Sequence, residues 1–361
     1  MNDIKELLGV LIERNGSDLH LRADSKPVIR VNRRLSYIEE VPPISEDVLK
    51  NIALSIIPED KIESFKKNLQ VDFSYEIENA RFRVNVFYQK SKINIVMRYI
   101  PTKIKSFEEL NLPKVLEKIC EERRGLVLVT GTAGSGKSTT LASMVEYINT
   151  TRDAHIITIE DPIEFYFEDK KSIISQREIG VDTPDYITSL RHIVRQDPDV
   201  ILIGEMRDIE TIRAALTSAQ LGNLVLSTIH TINTYQTITR ILDMFPTHEQ
   251  NQIRFMLSDT LKAVISQRLL PLKDGSGMIP AVEVLIATPL IRKLIEENNL
   301  SEIHQQIEKG EYYGMQSFNQ SLYKLYQEGK IDLDTALKAS SNPEELMLRI
   351  RGIDTSSGSK G

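Results

Sequence analysis

The spacing of apolar residues changes several times along the chain, and the changes divide it. Ile4, Leu7, Leu8, Leu11 and Ile12 recur at helical spacing, after which Asp18–Arg22 and Val28–Val31 read as short strands. Residues 45–68 hold two helical segments punctuated by Pro58, and Val71–Tyr75, Phe82–Tyr88 and Ile93–Tyr99 predict three more strands. Residues 1–100 are therefore expected to form an α+β domain. A linker at 101–112 follows, with a possible capping box at Ser106–Glu109. Over 113–288 strands and helices alternate, as in an α/β nucleotide-binding core. The strands are expected at Leu126–Val129, His155–Ile159, Asp197–Glu205, Leu224–Thr228 and Ile279–Ile286. The helices are expected from about Thr139 and at Arg207–Leu221, Gln236–Phe245 and His248–Ser266. Five further helices predict a C-terminal helical subdomain at 289–353, and the tail 354–361 is expected to be disordered.

Between the apolar run Leu126–Val129 and the helix face Leu141, Met144, Val145 and Ile148 lies Gly131-Thr132-Ala133-Gly134-Ser135-Gly136-Lys137-Ser138-Thr139. It fits G-x-x-x-x-G-K-[ST] in the required context of strand, loop and helix. The glycines let backbone N–H groups close around phosphate oxygens and the helix N-terminus adds partial positive charge. Lys137 is expected to reach the β/γ-phosphates of ATP and Ser138 to ligate Mg²⁺, so Thr132–Thr139 is the candidate nucleotide site.

Other candidates fall just past predicted strands, where open α/β sheets bind ligands. Glu205 follows a Walker B-like strand and is placed to orient the attacking water. Gly204 stands where a metal-binding aspartate often precedes that glutamate, which leaves Mg²⁺ to Ser138, nucleotide oxygens, water and the carboxylates of Glu160, Asp161 and Glu164. Taken alone, those carboxylates also read as a charged turn stopped by Pro162. His230, beyond another strand, is a candidate γ-phosphate sensor. A hairpin turning at Lys90 and Ser91 sets Arg83 opposite Arg98 on one face, with Arg81 two residues along. This is either a solvated basic face or a set of arginines reaching a phosphate, in the same chain or across a subunit boundary.

The 361 residues are 41% hydrophobic and 27% charged, with a net charge of -6. That balance argues against general nucleic-acid binding. One cysteine, Cys120, excludes an intrachain disulfide and a tetracysteine zinc site. No apolar run reaches membrane-spanning length and Met1–Lys5 begins no secretory signal, so a cytoplasmic location is expected.

The order of Gly131–Thr139, Ile159–Glu164, Gln176–Glu178, Arg195–Asp208 and Thr228–Thr231 resembles that of the type IV pilus retraction ATPases, the PilT/PilU family of the secretion ATPase superfamily. Gly16–His20, Arg81–Asn85 and Gly314–Phe318 extend the resemblance over nearly the whole chain. It implies a PAS-like N-terminal domain and a RecA-like ATPase core, joined flexibly in a ring-shaped homohexamer. The ring would hydrolyse ATP with Mg²⁺ to drive pilus disassembly and twitching motility. It would work at the cytoplasmic side of the inner membrane with the pilus platform protein, either alone or beside a second retraction ATPase. The resemblance names an Asp box ending at Glu164 and a His box around His230, and gives both a catalytic part with Lys137 and Glu205. Arg83 and Arg98 would act as arginine fingers. Assembly and type II secretion ATPases, the alternative within the superfamily, generally carry a longer N-terminal region and a tetracysteine insert. A non-hydrolysing regulator of a partner ATPase is the alternative outside motor function. Leu290–Glu297 departs from the retraction motif and leans towards PilU, whereas Arg195–Asp199 and Glu205–Asp208 look more like PilT. Asn223 stands where the His box often has a second histidine.

Overall fold

The computed structural model describes residues 4–32, 34–77, 80–100 and 104–353. The chain divides into two compact units, Met1–Lys103 and Ile104–Gly361. Residues 101–103 of the expected linker and the tail 354–361 lie outside the described residues.

The first unit is α+β. Helix α1 (Ile4–Glu13) precedes β1 (Asp18–Arg22), β2 (Val28–Val31) and β3 (Arg34–Tyr37). Then come α2 (Glu46–Ile56), α3 (Ile62–Asn68), β4 (Gln70–Ile77), β5 (Ala80–Gln89) and β6 (Lys92–Ile100). The strands form an antiparallel sheet ordered β3-β2-β1-β6-β5-β4. Period-two alternation sends Phe82, Val84 and Val86 into a core shared with Leu7, Leu49 and Phe65 of the helices, and leaves Arg83 exposed. Strand β3 is absent from the sequence reading because all four of its residues are exposed, so no apolar alternation marks it.

The second unit begins with Phe107 and Leu112 buried in its core, so residues 104–112 pack with it rather than serving as linker. The Ser106–Glu109 box does form: Glu109 N–H donates to Ser106 Oγ at 3.2 Å and Ser106 N–H to Glu109 Oε2 at 2.8 Å. Next come α4 (Val115–Cys120), β7 (Gly125–Thr130), α5 (Lys137–Thr151), β8 (His155–Glu160), β9 (Ile173–Glu178), α6 (Tyr186–Ile193) and β10 (Val200–Ile203). After these, α7 (Ile209–Leu221), β11 (Leu224–Ile229), α8 (Thr234–Met244), α9 (Thr247–Thr260), β12 (Leu261–Pro271) and β13 (Met278–Ile286) complete the sheet. Its order is β13-β12-β7-β11-β10-β8-β9, parallel except for β13. Both faces are covered: Leu126 and Leu128 of β7 join α6 to α9 on one side, and Val127 and Val129 join α4 and α5 on the other. That double burial is why β7 is apolar at nearly every position.

Four further expectations need correction. The helix read over His248–Ser266 ends at Thr260, and Leu261 starts a long strand between β7 and β13. The helix read from Arg207 starts at Ile209, because the Asp208 side chain caps it by accepting from Thr211 N–H. The P-loop helix starts at Lys137 rather than about Thr139. Beyond β13, α10 (Pro289–Glu296) and α11 (Ile303–Lys309) bury Ile291, Leu294, Ile303 and Ile307 in the main core rather than forming a separate subdomain. Only α12 (Phe318–Gln327), α13 (Leu333–Ala339) and α14 (Pro343–Ile350) build a satellite cluster, around Leu270, Phe318 and Leu346.

Candidate functional site

Strands β7, β11, β10 and β8 are neighbours in the sheet and end in register, with Thr130 beside Ile229, and Ile203 beside both Ser227 and Ile159. The P-loop, His230, Glu205 and the Glu160–Glu164 loop therefore emerge side by side at one edge.

The P-loop is a tight cradle. Gly131, Gly134 and Gly136 all have positive φ, and a Cβ on Gly131 would lie 2.4 Å from Ser135 Oγ and 2.6 Å from Gln267 O. Lys137 is buried and donates to Gly131 O and Thr132 O, both at 3.0 Å. Burial lowers its ammonium pKa, and the charges of Glu205 and Glu164 oppose that shift. Ser135 Oγ is buried without a hydrogen-bond partner among the described residues. An orphaned hydroxyl and a buried ammonium on a glycine cradle fit a phosphate ligand. Thr132, Ala133 and Gly134 stay exposed, and Ser138 and Thr139 half-buried at the start of α5. Gln267 of β12 forms one wall, its Nε2 donating to Thr140 Oγ1 at 2.7 Å.

Glu205 accepts from Arg207 at 2.8 Å through one oxygen and lies 3.3 Å from His230 Nε2 through the other. Burial pushes its carboxyl pKa up, but Arg207, His230 and Lys137 outweigh that push and hold it below the usual range. A Cβ on Gly204 would meet Tyr186 Oη at 3.1 Å, Ile159 O at 3.3 Å and Glu160 Cα at 3.4 Å. A side chain at Gly204 would therefore need Tyr186 and the neighbouring strand to give by a few tenths of an ångström. Burial, with Asp161's charge behind it, raises the Tyr186 phenol's pKa.

The three carboxylates of the Asp box part company. Glu160 accepts from Thr158 Oγ1 at 2.7 Å and Gln176 Nε2 at 3.4 Å on one oxygen and from Glu164 N–H at 3.3 Å on the other, and burial raises its pKa. It shapes the loop, whereas Asp161 and Glu164 are exposed. Gln176 also donates to Phe165 O and accepts from Phe167 N–H, and Glu178 accepts from Ile163 N–H. The Gln176–Glu178 motif is thus the strand that pins this loop. Asn223 sits at the start of β11, the opposite end from the P-loop, and donates to Pro198 O.

In the first unit Arg83 pairs with Arg98 as the hairpin predicts. Between screening water and a bridging anion there is a third arrangement: Asp18, buried on β1, accepts from Arg98 Nε at 2.8 Å and lies 3.7 Å from Arg30. Arg81 pairs with Glu76 at 3.3 Å and donates to Ser74 Oγ at 3.0 Å. The roles of Arg207, Tyr186, Gln267 and Asp18 are missing from the sequence reading. Arg207 and Asp18 carried a local signal, as members of the Arg195–Asp208 and Gly16–His20 motifs, while Tyr186 and Gln267 carried none.

A parallel α/β sheet with a phosphate cradle and an acidic residue at the next strand ends defines a RecA-like P-loop nucleotide-binding protein. A family model described as Type II/IV secretion system protein matches residues 2–347. The chain belongs to this family. It is 44% identical over 343 residues to the type IV pilus retraction ATPase PilT of Pseudomonas aeruginosa, covering 95% of this chain and 99% of that one. It is 38% identical over 350 residues to the type IV pilus ATPase PilU of the same organism, covering 97% and 91%. A crystal structure of the pilus retraction motor PilT with bound ADP superposes with a TM-score of 0.87 at 45% identity, over 96% of this chain and 99% of that one.

Proposed function

We propose that the chain is an ATP hydrolase that powers type IV pilus retraction as a homohexamer on the cytoplasmic face of the inner membrane. The observation that favours hydrolysis over binding alone is Glu205, an ionised carboxylate at a strand end whose charge is felt by the P-loop lysine. The 44% identity along nearly the full length of a PilT, against 38% to the PilU of the same organism, supports retraction of the PilT type.

In this reading the amides of Thr132–Thr139 and the Lys137 ammonium hold the phosphates of ATP. Ser138, Asp161 and Glu164 are the residues that would hold Mg²⁺, which when bound would supply positive charge against the phosphates. Glu205 accepts a hydrogen bond from the attacking water and orients it, while His230 senses the γ-phosphate and couples it to Glu205. Arg83 and Arg98 stabilise charge on the transferred phosphoryl group. The platform protein of the pilus and a second retraction ATPase are the proposed partners.

Glu205→Gln should keep nucleotide binding and lower phosphate release by about 10²-fold or more. Full turnover by that variant sinks the assignment of Glu205. Wild-type protein without magnesium-dependent phosphate release points to the regulator reading instead. In a piliated host, deletion should leave surplus surface pili, whereas loss of pili indicates an assembly motor.

A further inference from the structure

A second cluster of ligand-bearing side chains lies on the C-terminal helices. His304 and Glu308 stand four residues apart on α11 and so share a helix face. Glu345, in the first turn of α14, faces them. One ligand atom from each comes together with the others within 4.8 Å, the only such trio of His, Cys, Asp or Glu among the described residues. The Asp-box carboxylates do not meet this spacing.

Two features separate this cluster from a solvated acidic surface. Glu308 Oε1 and Glu345 Oε1 are each shut off from solvent with no hydrogen-bond donor among the described residues. The Glu345 second oxygen accepts from Asn342 Nδ2 at 3.2 Å, and Arg349 approaches Glu308 Oε1 at 3.6 Å, an ion pair too long for a hydrogen bond. His304 and Glu345 also line a cavity of about 320 Å³, which gives the cluster an open side.

We propose that His304, Glu308 and Glu345 form a divalent transition-metal site, of zinc-like preference, distinct from the nucleotide site. One imidazole and two carboxylates are a ligand set Zn²⁺ accepts, with the fourth position left to water from the cavity. Its effect would be mechanical. Ile303 and Ile307 of α11 belong to the main core and Leu346 of α14 to the satellite cluster, so the ion would staple the two together.

The test uses full-length, chelator-stripped protein without nucleotide, so that the P-loop recruits no metal. Isothermal titration with Zn²⁺ should give one site per chain, and Zn²⁺ should raise the unfolding midpoint while Mg²⁺ at the same concentration does not. His304 is exposed, so His304→Ala should fold normally, weaken Zn²⁺ binding by at least about ten-fold and abolish the shift. Glu345→Gln should act in the same direction, and both variants should still bind ATP. Unchanged Zn²⁺ binding in His304→Ala overturns the assignment. So does a wild-type midpoint that ignores Zn²⁺ but rises on mild acidification, which would make Glu308 and Glu345 a pair sharing a proton.

Discussion

Glu205 is held between opposing influences, and the balance predicts its pH behaviour. Burial favours the neutral acid, while Arg207, His230 and Lys137 favour the carboxylate and prevail. A carboxyl whose pKa is lower folded than unfolded stabilises the fold above its unfolded value, and that stabilisation is lost as pH falls through the folded one. Arg207→Gln removes the 2.8 Å partner and leaves His230 and Lys137 alone to oppose burial, so the Glu205 carboxyl pKa should rise. The acid limb of the kcat–pH profile for phosphate release should move towards neutral pH, and an unmoved limb would show that Arg207 does not set it. Gly204 gives a steric counterpart. Gly204→Ala puts a methyl 3.1 Å from Tyr186 Oη and should cost about 1–3 kcal/mol by denaturant unfolding, with Tyr186→Phe in the same chain recovering part of the loss. The placement of Lys137 and Ser138 after β7 and of Glu205 after β10 was legible in the sequence because a P-loop and a strand end are local patterns. The Arg207–Glu205–His230 triangle was not, since it forms only when β10 and β11 lie side by side.

Strand β12 is one of the elements the sequence concealed. Leu261-Lys262-Ala263-Val264-Ile265-Ser266 is apolar at positions that suit a helix continuing α9 as well as a buried strand, and periodicity alone does not separate the two. Pairing with β7 on one side and β13 on the other resolves it, and carries Gln267 to the P-loop wall. Its packing should dominate the second unit's stability. Ile265 is 0% exposed, so Ile265→Ala should cost about 2–5 kcal/mol in denaturant unfolding. Leu35→Ala on the exposed strand β3 should change stability by under about 0.5 kcal/mol. The parallel strands β7, β8, β10 and β11 were readable because burial on both faces leaves short apolar runs bounded by polar loops.

At the scale of the molecule, the candidate arginines belong to the first unit and the P-loop to the second. The Lys90–Ser91 turn, both residues at positive φ, sets the β5–β6 register and made the Arg83–Arg98 pair legible. What stayed hidden was Asp18, 80 residues before Arg98, which reaches it only because β1 joins the far side of β6. Registers align Arg83, Arg98, Asp18 and Arg30 in one row, so a buried carboxylate holds Arg98 and leaves Arg83 as the exposed arginine with no hydrogen-bond or ion-pair partner among the described residues. An unpartnered exposed side chain contributes little to the fold, so Arg83→Gln should alter stability by under about 0.5 kcal/mol. If Arg83 stabilises the transferred phosphoryl group, the same variant should lower kcat by at least about 10²-fold, below the roughly 10³–10⁵-fold that arginine fingers reach, with nucleotide affinity nearly unchanged. Asp18→Asn should lower kcat in the same direction as Arg98→Gln, because the first weakens the anchor of the Arg98 guanidinium and the second removes the guanidinium itself. Unfolding and single-turnover phosphate release on the same preparations decide the matter: full turnover by a stably folded Arg83→Gln makes the row a solvated basic face and confines the chemistry to the P-loop edge.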